Sequence, residues 1–292
     1  MKKYDIEPLA NAHCQTGENP LYDAQRHQVF WSDIPKGRLF RYDLDSGDWE
    51  QFYQGEVVGG FTFQENGDLL LFRVGEFALW KEGGEVVSLA DNLDATTGRF
   101  NDVFADPEGR VFAGTMGHEG HSGSGGLYRV ERDRQVSKMW SDTDCANGMG
   151  FTPDLKGMYW TDSTNRIIYL CDYDRASGAL SGRRIWKQFE ESDCTPDGMA
   201  IDNEGCVWSA FWGASCVRRF SPEGELMEII EMPVEKVSSL TFGGRDYNEL
   251  FITTAGGQDD SESVEGTLYR VRVEAQGKPE FRSKIDSSSS EE

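Results

Sequence analysis

The amino-acid sequence predicts an all-β protein with the architecture of a six-bladed β-propeller. Short runs of aromatic and β-branched residues recur along the 292 residues, and turns rich in Gly, Asp, Asn and Pro separate them. No long stretch shows the apolar period of about 3.6 residues that indicates an amphipathic helix. The strand pattern also repeats itself at intervals of roughly 40 to 50 residues, as the blades of a propeller do.

The first strand of each repeat can be placed from the turns that surround it. We expect one to begin near each of six residues: Glu18, Gly60, Asn101, Asn147, Asp197 and Ser239. Further short strands follow in each unit, for example residues 29–32 and 38–42 in the first. A solenoid shares such a period, but no segment resembles a polar capping repeat. An early strand around residues 4–9 is expected to complete the last blade.

The domain organisation follows from the repeat. We expect a single propeller over residues 1–286, closed by its N-terminal strand, and a disordered Ser- and Glu-rich tail at residues 287–292. The N-terminus has basic residues but no apolar stretch behind them, so we expect no secretory signal. No run of residues has the length and apolarity of a membrane span. These features predict a soluble, cytoplasmic protein.

Charge and cysteine usage limit the partners. The formal net charge is −22, from 51 acidic and 29 basic residues, and such a surface repels nucleic acid and anionic membranes. The six cysteines form no CxxC pair, so we expect reduced thiols that pack as small hydrophobic groups. A closed propeller leaves no exposed sheet edge that demands a partner. We therefore expect a monomer or a weak oligomer.

The starts of the first strands in a propeller share one mouth of the central channel. Glu18, Asn147 and Asp197 would therefore meet there and offer two carboxylates and one amide oxygen, which suit a hard divalent cation. Each residue type also favours tight turns, which is the alternative for any single position. A buried Glu and a buried Asp in one channel, however, need a compensating charge. The absence of His and Cys ligands favours calcium, magnesium or manganese over a structural zinc.

Six motifs carry a family resemblance. They are GENP around Glu18, RFND at 99–102, AGTM at 113–116, NGMGFTPD at 147–154, PDGMAID at 196–202 and SLTFGG at 239–244. With these motifs in this order, the chain resembles the senescence-marker-protein/gluconolactonase/regucalcin-like family of six-bladed propellers. The segment AFWG at 210–213 is similar to that of bacterial sugar lactonases. One departure is GENP, where many relatives carry GEGP.

The resemblance implies a site and a reaction. It implies metal ligands Glu18, Asn147 and Asp197, and substrate contacts Arg99, Asn101 and Glu119. The cofactor would be one divalent cation, calcium first, with magnesium, manganese, zinc or iron as alternatives. The substrate would be a small sugar-acid lactone, such as gluconolactone or xylonolactone, opened to its aldonic acid.

The sequence leaves alternatives open for the mechanism, for several residues and for the function. Asp197 is expected to be the general base, although coordination lowers its pKa, and a water held by the cation is the other candidate nucleophile. His118 and His121 are either surface histidines or contacts to substrate hydroxyls. Trp212 and Phe61 either form an apolar wall or pack in the core. Hydrolysis of phosphotriesters or other lactones, and a non-catalytic calcium-binding regulatory propeller, are the alternative functions.

Overall fold

A computed structural model describes residues 3–91, 97–118, 122–259 and 262–288 of the chain. Its strands form six antiparallel sheets of four strands each. The predicted all-β, six-bladed propeller is therefore confirmed. The described residues include no helix long and apolar enough to cross a membrane, and their one helical element is the 3₁₀ turn Glu191–Asp193.

The strands of each blade follow one another along the chain, except in the last blade. The first three blades comprise β2 (Gly17–Asp23), β3 (Gln28–Asp33), β4 (Arg38–Asp43) and β5 (Trp49–Gln54); β6 (Gly60–Phe63), β7 (Leu69–Phe72), β8 (Phe77–Trp80) and β9 (Val86–Ala90); and β10 (Thr97–Ala105), β11 (Val111–Gly117), β12 (Gly125–Val130) and β13 (Val136–Thr143). The last three comprise β14 (Ala146–Phe151), β15 (Gly157–Asp162), β16 (Ile167–Asp174) and β17 (Ala179–Gln188); β18 (Thr195–Ile201), β19 (Val207–Trp212), β20 (Cys216–Phe220) and β21 (Leu226–Glu231); and β22 (Val237–Gly243), β23 (Glu249–Thr254), β24 (Thr267–Arg272) and β1 (Ile6–Asn11).

The first strands of the six blades form a closed ring. β2, β6, β10, β14, β18 and β22 each contact the next in this order, and β22 contacts β2 again. β1 pairs antiparallel with β24, from Ile6 opposite Val271 to Asn11 opposite Thr267. The sixth blade thus combines strands from the two ends of the chain, and this pairing holds the ring shut.

The hydrophobic core lies between neighbouring blades, because the inner strands are buried on both faces. Trp31, Trp160 and Trp208 are fully buried on the second strands of their blades. Trp31 packs with residues of the sixth blade, and Trp160 packs with Phe112 of the third. Burial of one such side chain contributes on the order of 1.5–3 kcal/mol. The aromatic residue that recurs in the sequence repeat therefore serves blade-to-blade packing.

A C-terminal segment crosses the mouth at which the first strands end. Its backbone bonds to four blades: Gly277 N–H donates to Tyr247 O, Asn203 N–H to Gln276 O, Ser283 N–H to Phe63 O and Lys284 N–H to Gly109 O. All four partners follow the C-terminal ends of first strands or terminate them. The opposite mouth, where these strands begin, carries the residues discussed below.

Glu280 of this segment gives a test of channel electrostatics. Burial chiefly, and the charge of Asp102 on β10, raise the pKa of Glu280 to about 7. A carboxyl whose pKa is higher in the folded than in the unfolded chain destabilises the fold progressively as pH rises between these two values. We expect Glu280→Gln to leave stability nearly unchanged at about pH 4 and to raise the unfolding free energy by roughly 1–3 kcal/mol at about pH 8.

Urea unfolding at both pH values measures this difference. Glu235→Gln is the matched control, because it removes the same charge from an exposed position of the acidic surface. An equal gain at both pH values, or an equal gain in the control, would contradict a role for Glu280 ionisation inside the channel.

Candidate metal centre

The first strands begin around one cavity of about 420 Å³. Five of the six predicted site residues line it: Glu18, Arg99, Asn101, Asn147 and Asp197. All except the partly buried Arg99 are buried. Glu119, the sixth, and His121 lie outside the described residues, so the role of Glu119 stays a prediction.

Irregular strand pairing places these side chains at the mouth. In four first strands a register shift interrupts the ladder at or beside the predicted residue, namely Glu18, Asn101, Asn147 and Asp197. A regular strand would send successive side chains to opposite faces. A β-bulge breaks this alternation and re-aims a side chain, as bulges near binding sites often do.

Two glycines allow the ring to close tightly beside the predicted ligands. A Cβ atom on Gly148 would lie 2.6 Å from the Asp197 carbonyl oxygen, and one on Gly198 would lie 2.1 Å from Ser239 Oγ. Only glycine fits where the backbone of one blade comes this close to the next. The NGM and DGM motifs therefore bring Asn147 and Asp197 together.

Asn19 explains the GENP departure. Its backbone has φ of 49°, in the left-handed region that glycine adopts freely and asparagine tolerates. Its side-chain oxygen accepts the N–H of Phe61 at 2.6 Å, which links the first blade to the second. The asparagine thus keeps the turn and adds a contact between blades.

A chain of hydrogen bonds runs along one wall of the cavity. Arg99 Nη1 donates to Asn101 Oδ1 at 2.6 Å, and Asn101 Nδ2 donates to Asn147 Oδ1 at 2.7 Å. Asn147 Nδ2 in turn donates to Ser163 Oγ at 2.9 Å. Asn101 also donates to the Ala146 carbonyl at 2.9 Å. Its amide is therefore committed to the neighbouring blade as well as to Arg99.

The two carboxyl groups of the cavity lack a compensating cation among the described side chains that bond to them. Burial, with the charge of Asp102, raises the pKa of Glu18 to about 8. Burial and the charge of Glu18 raise the pKa of Asp197 well above its usual range. Asp197 Oδ1 is buried without a hydrogen-bond partner among the described residues. Two carboxylates, one of them with this unpartnered oxygen, and an amide oxygen fit a hard divalent cation.

A second acidic group does not offer such a place. Asp202, Glu204 and Cys206 are close enough together to surround an ion. The Arg219 guanidinium already lies among them, with Nη2 2.7 Å from Asp202 Oδ2 and 2.6 Å from Glu204 Oε2. Trp208 Nε1 also donates to Asp202 at 3.0 Å. This group is therefore an ion-pair network of the fifth blade, with Asp202 and Arg219 buried and Glu204 exposed.

The structure shows where several residues lie for which the sequence left two placements open. Trp212 lines the cavity, whereas Phe61 is fully buried in the core between the first two blades. His118 is exposed, and its N–H bonds to Ser124 Oγ. Ser163, which sequence reasoning missed, also lines the cavity. It follows directly on β15, the partner strand of Asn147.

The chain is similar to known proteins in both sequence and fold. The sequence model of the protein family described as the SMP-30/Gluconolactonase/LRE-like region matches residues 16–256. The chain is 37% identical over 293 residues to the pentonolactonase XacC of Haloferax volcanii, covering 96% of this chain and 98% of the relative. It is 32% identical over 272 residues to regucalcin of Pongo abelii, covering 90% and 91%. A solved structure of a calcium-binding protein, regucalcin, from Agrobacterium tumefaciens shares the fold, with a TM-score of 0.90 at 22% identity over 98% of this chain and 100% of that chain. The chain therefore belongs to the SMP-30/gluconolactonase/LRE-like family.

Proposed function

We propose that this protein is a metal-dependent hydrolase that opens the ring of a sugar-acid lactone to give the aldonic acid. The observation that carries the proposal is the cavity in which Glu18, Asn147 and Asp197 meet, with one Asp197 oxygen lacking a partner. The lactonase named among the relatives supports the substrate class.

Glu18, Asn147 and Asp197 would hold the cation. When bound, it supplies Lewis-acid polarisation of the lactone carbonyl and stabilises the negative charge that develops there. Calcium is the first candidate because all three donors are oxygen atoms, and a protein with this fold, the Agrobacterium tumefaciens regucalcin, is a calcium-binding protein. Magnesium, manganese, zinc and iron are the alternatives.

Arg99 and Trp212 are suited to hold the sugar. Arg99 Nη2 contacts only the Met116 sulfur, at 3.3 Å, among the described residues, so it can donate to substrate hydroxyls. The partly buried Trp212 at the cavity wall offers an apolar surface to the C–H groups of the ring. Together they would position the lactone carbonyl toward the two carboxylates.

Asp197 is the proposed general base. One carboxylate oxygen would face the cation, and the other takes a proton from a water molecule as the water oxygen bonds to the carbonyl carbon. The bond between that carbon and the ring oxygen then breaks, and the proton passes from Asp197 to the leaving ring oxygen. The product is an open-chain hydroxy acid, and Asp197 returns to its starting state.

Metal removal tests the proposal. Protein treated with chelator would be assayed on gluconolactone and xylonolactone by acid release, with spontaneous ring opening subtracted. We expect lactone opening to stop on chelation and to return with at least one of calcium, magnesium, manganese, zinc or iron(II), because the buried carboxylates then regain a counter-charge.

Other outcomes would contradict the proposal. Calcium binding without accelerated opening of any lactone would support the regulatory propeller instead. Hydrolysis of a phosphotriester such as paraoxon, without lactone opening, would indicate another hydrolase on the same scaffold.

A further inference from the structure

Ser163 lies in the turn after β15 and contacts two of the first strands that carry the proposed ligands, β14 and β18. Its buried Oγ accepts a hydrogen bond from Asn147 Nδ2 at 2.9 Å and donates to the Pro196 carbonyl at 2.7 Å. We propose that Ser163 is a positioning residue of the metal centre, which orients the Asn147 amide and holds the strand that presents Asp197. This inference rests on the proposed function, because it takes these residues to be ligands.

The direction of every bond in the chain from Arg99 to Pro196 is determined by its two ends. The guanidinium of Arg99 can only donate, so the atom of Asn101 that it contacts at 2.6 Å is the oxygen. Asn101 must then present its NH₂ group to Asn147, and Asn147 accepts this hydrogen bond with Oδ1. At the other end the Pro196 carbonyl can only accept, so Ser163 uses its proton there. A lone pair of Ser163 Oγ therefore accepts the hydrogen bond from Asn147 Nδ2.

The orientation of the Asn147 amide decides whether this residue can bind a cation. With Nδ2 held by Ser163, the oxygen Oδ1 takes the other side, where it accepts a single hydrogen bond from the described part of the chain, that of Asn101. The second lone pair of that oxygen is free for a cation. A flipped amide would bring the two NH₂ groups of Asn101 and Asn147 together and offer no oxygen there. Ser163 and Asn101 thus select the ligand orientation from opposite ends.

The contact with Pro196 reaches the carboxylate ligand as well. Pro196 directly precedes Asp197 on the fifth blade, whereas Ser163 belongs to the fourth, so the bond crosses the boundary between blades. The same arrangement recurs at the other carboxylate. Ser238 of the sixth blade donates to the carbonyl of Gly17, directly before Glu18 on the first blade, at 2.5 Å. A serine of the adjacent blade therefore holds the backbone before each carboxylate.

Ser163→Ala removes the acceptor of Asn147 Nδ2 and the donor to Pro196 together. The orientation that presents Oδ1 then loses the support of Ser163, and the one acceptor that Nδ2 keeps among the described residues is the weak Cys145 Sγ at 3.4 Å. Partners that orient a metal ligand typically contribute 10- to 100-fold in metal affinity, so we expect calcium binding to weaken by about this factor. Ser163→Thr keeps the hydroxyl and is expected to restore most of the affinity.

Calorimetric titration of chelator-treated protein with calcium chloride measures the effect. The matched control is Ser209→Ala, which deletes a fully buried serine hydroxyl whose contact is the Ala210 carbonyl at 3.3 Å. We expect the control to bind calcium as the native protein does. Without metal, the control and Ser163→Ala are expected to have similar melting temperatures. If Ser163→Ala does not fold, Ser163→Cys takes its place, because a thiol keeps the volume but is a weak hydrogen-bonding group.

Activity provides a second readout that a merely structural role would not move. At low calcium, lactone opening by Ser163→Ala should fall with the occupancy of the site, and at saturating calcium kcat should recover while KM for xylonolactone stays near the native value. Native affinity in Ser163→Ala, or no rescue by threonine, would overturn the inference and leave the proposed function standing. If the native protein binds no divalent cation and opens no lactone, the proposed function itself fails.

Discussion

Asp197→Asn is expected to lower kcat/KM for lactone opening by roughly 10³-fold or more, since it removes a proposed ligand and the proposed base together. The metal-free variant should nevertheless be at least as stable as the native protein. Asp197 is buried beside Glu18, and burial together with the charge of Glu18 raises the pKa of Asp197 well above its usual range. A neutral amide of the same shape relieves that repulsion.

Three measurements test this combination of effects: acid-release kinetics, urea unfolding without metal, and the rise in melting temperature on addition of calcium. We expect activity to fall, metal-free stability to hold or increase, and the calcium-induced rise to shrink. Asp172→Asn is the control, because it replaces an exposed carboxylate paired with an exposed Arg184. A variant at Asp197 that retained native activity would exclude this residue as base and as essential ligand.

Asp202→Ala is expected to lower the free energy of unfolding by about 3–5 kcal/mol, while calcium affinity stays unchanged. Asp202 is fully buried and bonds to the Arg219 guanidinium at 2.7 Å, to Trp208 Nε1 at 3.0 Å and to the Cys206 N–H at 2.9 Å. Its removal leaves these buried donors without their acceptor. The loss concerns packing of the fifth blade, where these groups lie, and not the cavity at the opposite mouth.

Urea unfolding and calcium calorimetry on the same preparation separate the two roles. Asp172→Ala breaks an ion pair with the same charges at the surface, so its cost should stay below about 1 kcal/mol. If Asp202→Ala remained folded but lost calcium binding, the metal site would lie at Asp202, Glu204 and Cys206 instead of at the cavity.

Much of the fold could be predicted because the sequence repeats its local chemistry. The same turn residues, aromatic residues and short strands recur along the chain, and burial of Trp31, Trp160 and Trp208 on the second strands of their blades is one consequence. The residues expected at the starts of the first strands all lie in β2, β6, β10, β14, β18 or β22. Counting that repeat was enough to predict that they share one mouth.

The C-terminal segment could not be predicted in the same way. Residues 276–286 carry no strand pattern, and they are held by backbone bonds to four blades that are distant in sequence. Ser163 was missed for a related reason. A serine in a turn has no distinguishing pattern until the next blade places Pro196 beside it.

The sequence by itself determined a ring of six four-stranded units and the oxygen-bearing side chains at its inner edge, because both depend on local residue patterns. Only the tertiary structure decided which carboxylates of the chain are available to a ligand. Asp202 is neutralised by Arg219, whereas Asp197 keeps an unpartnered buried oxygen. The orientation of the Asn147 amide is set by hydrogen bonds that originate on the third blade and end on the fifth. Such bonds exist only once the ring has closed, since they join residues that no local pattern brings together.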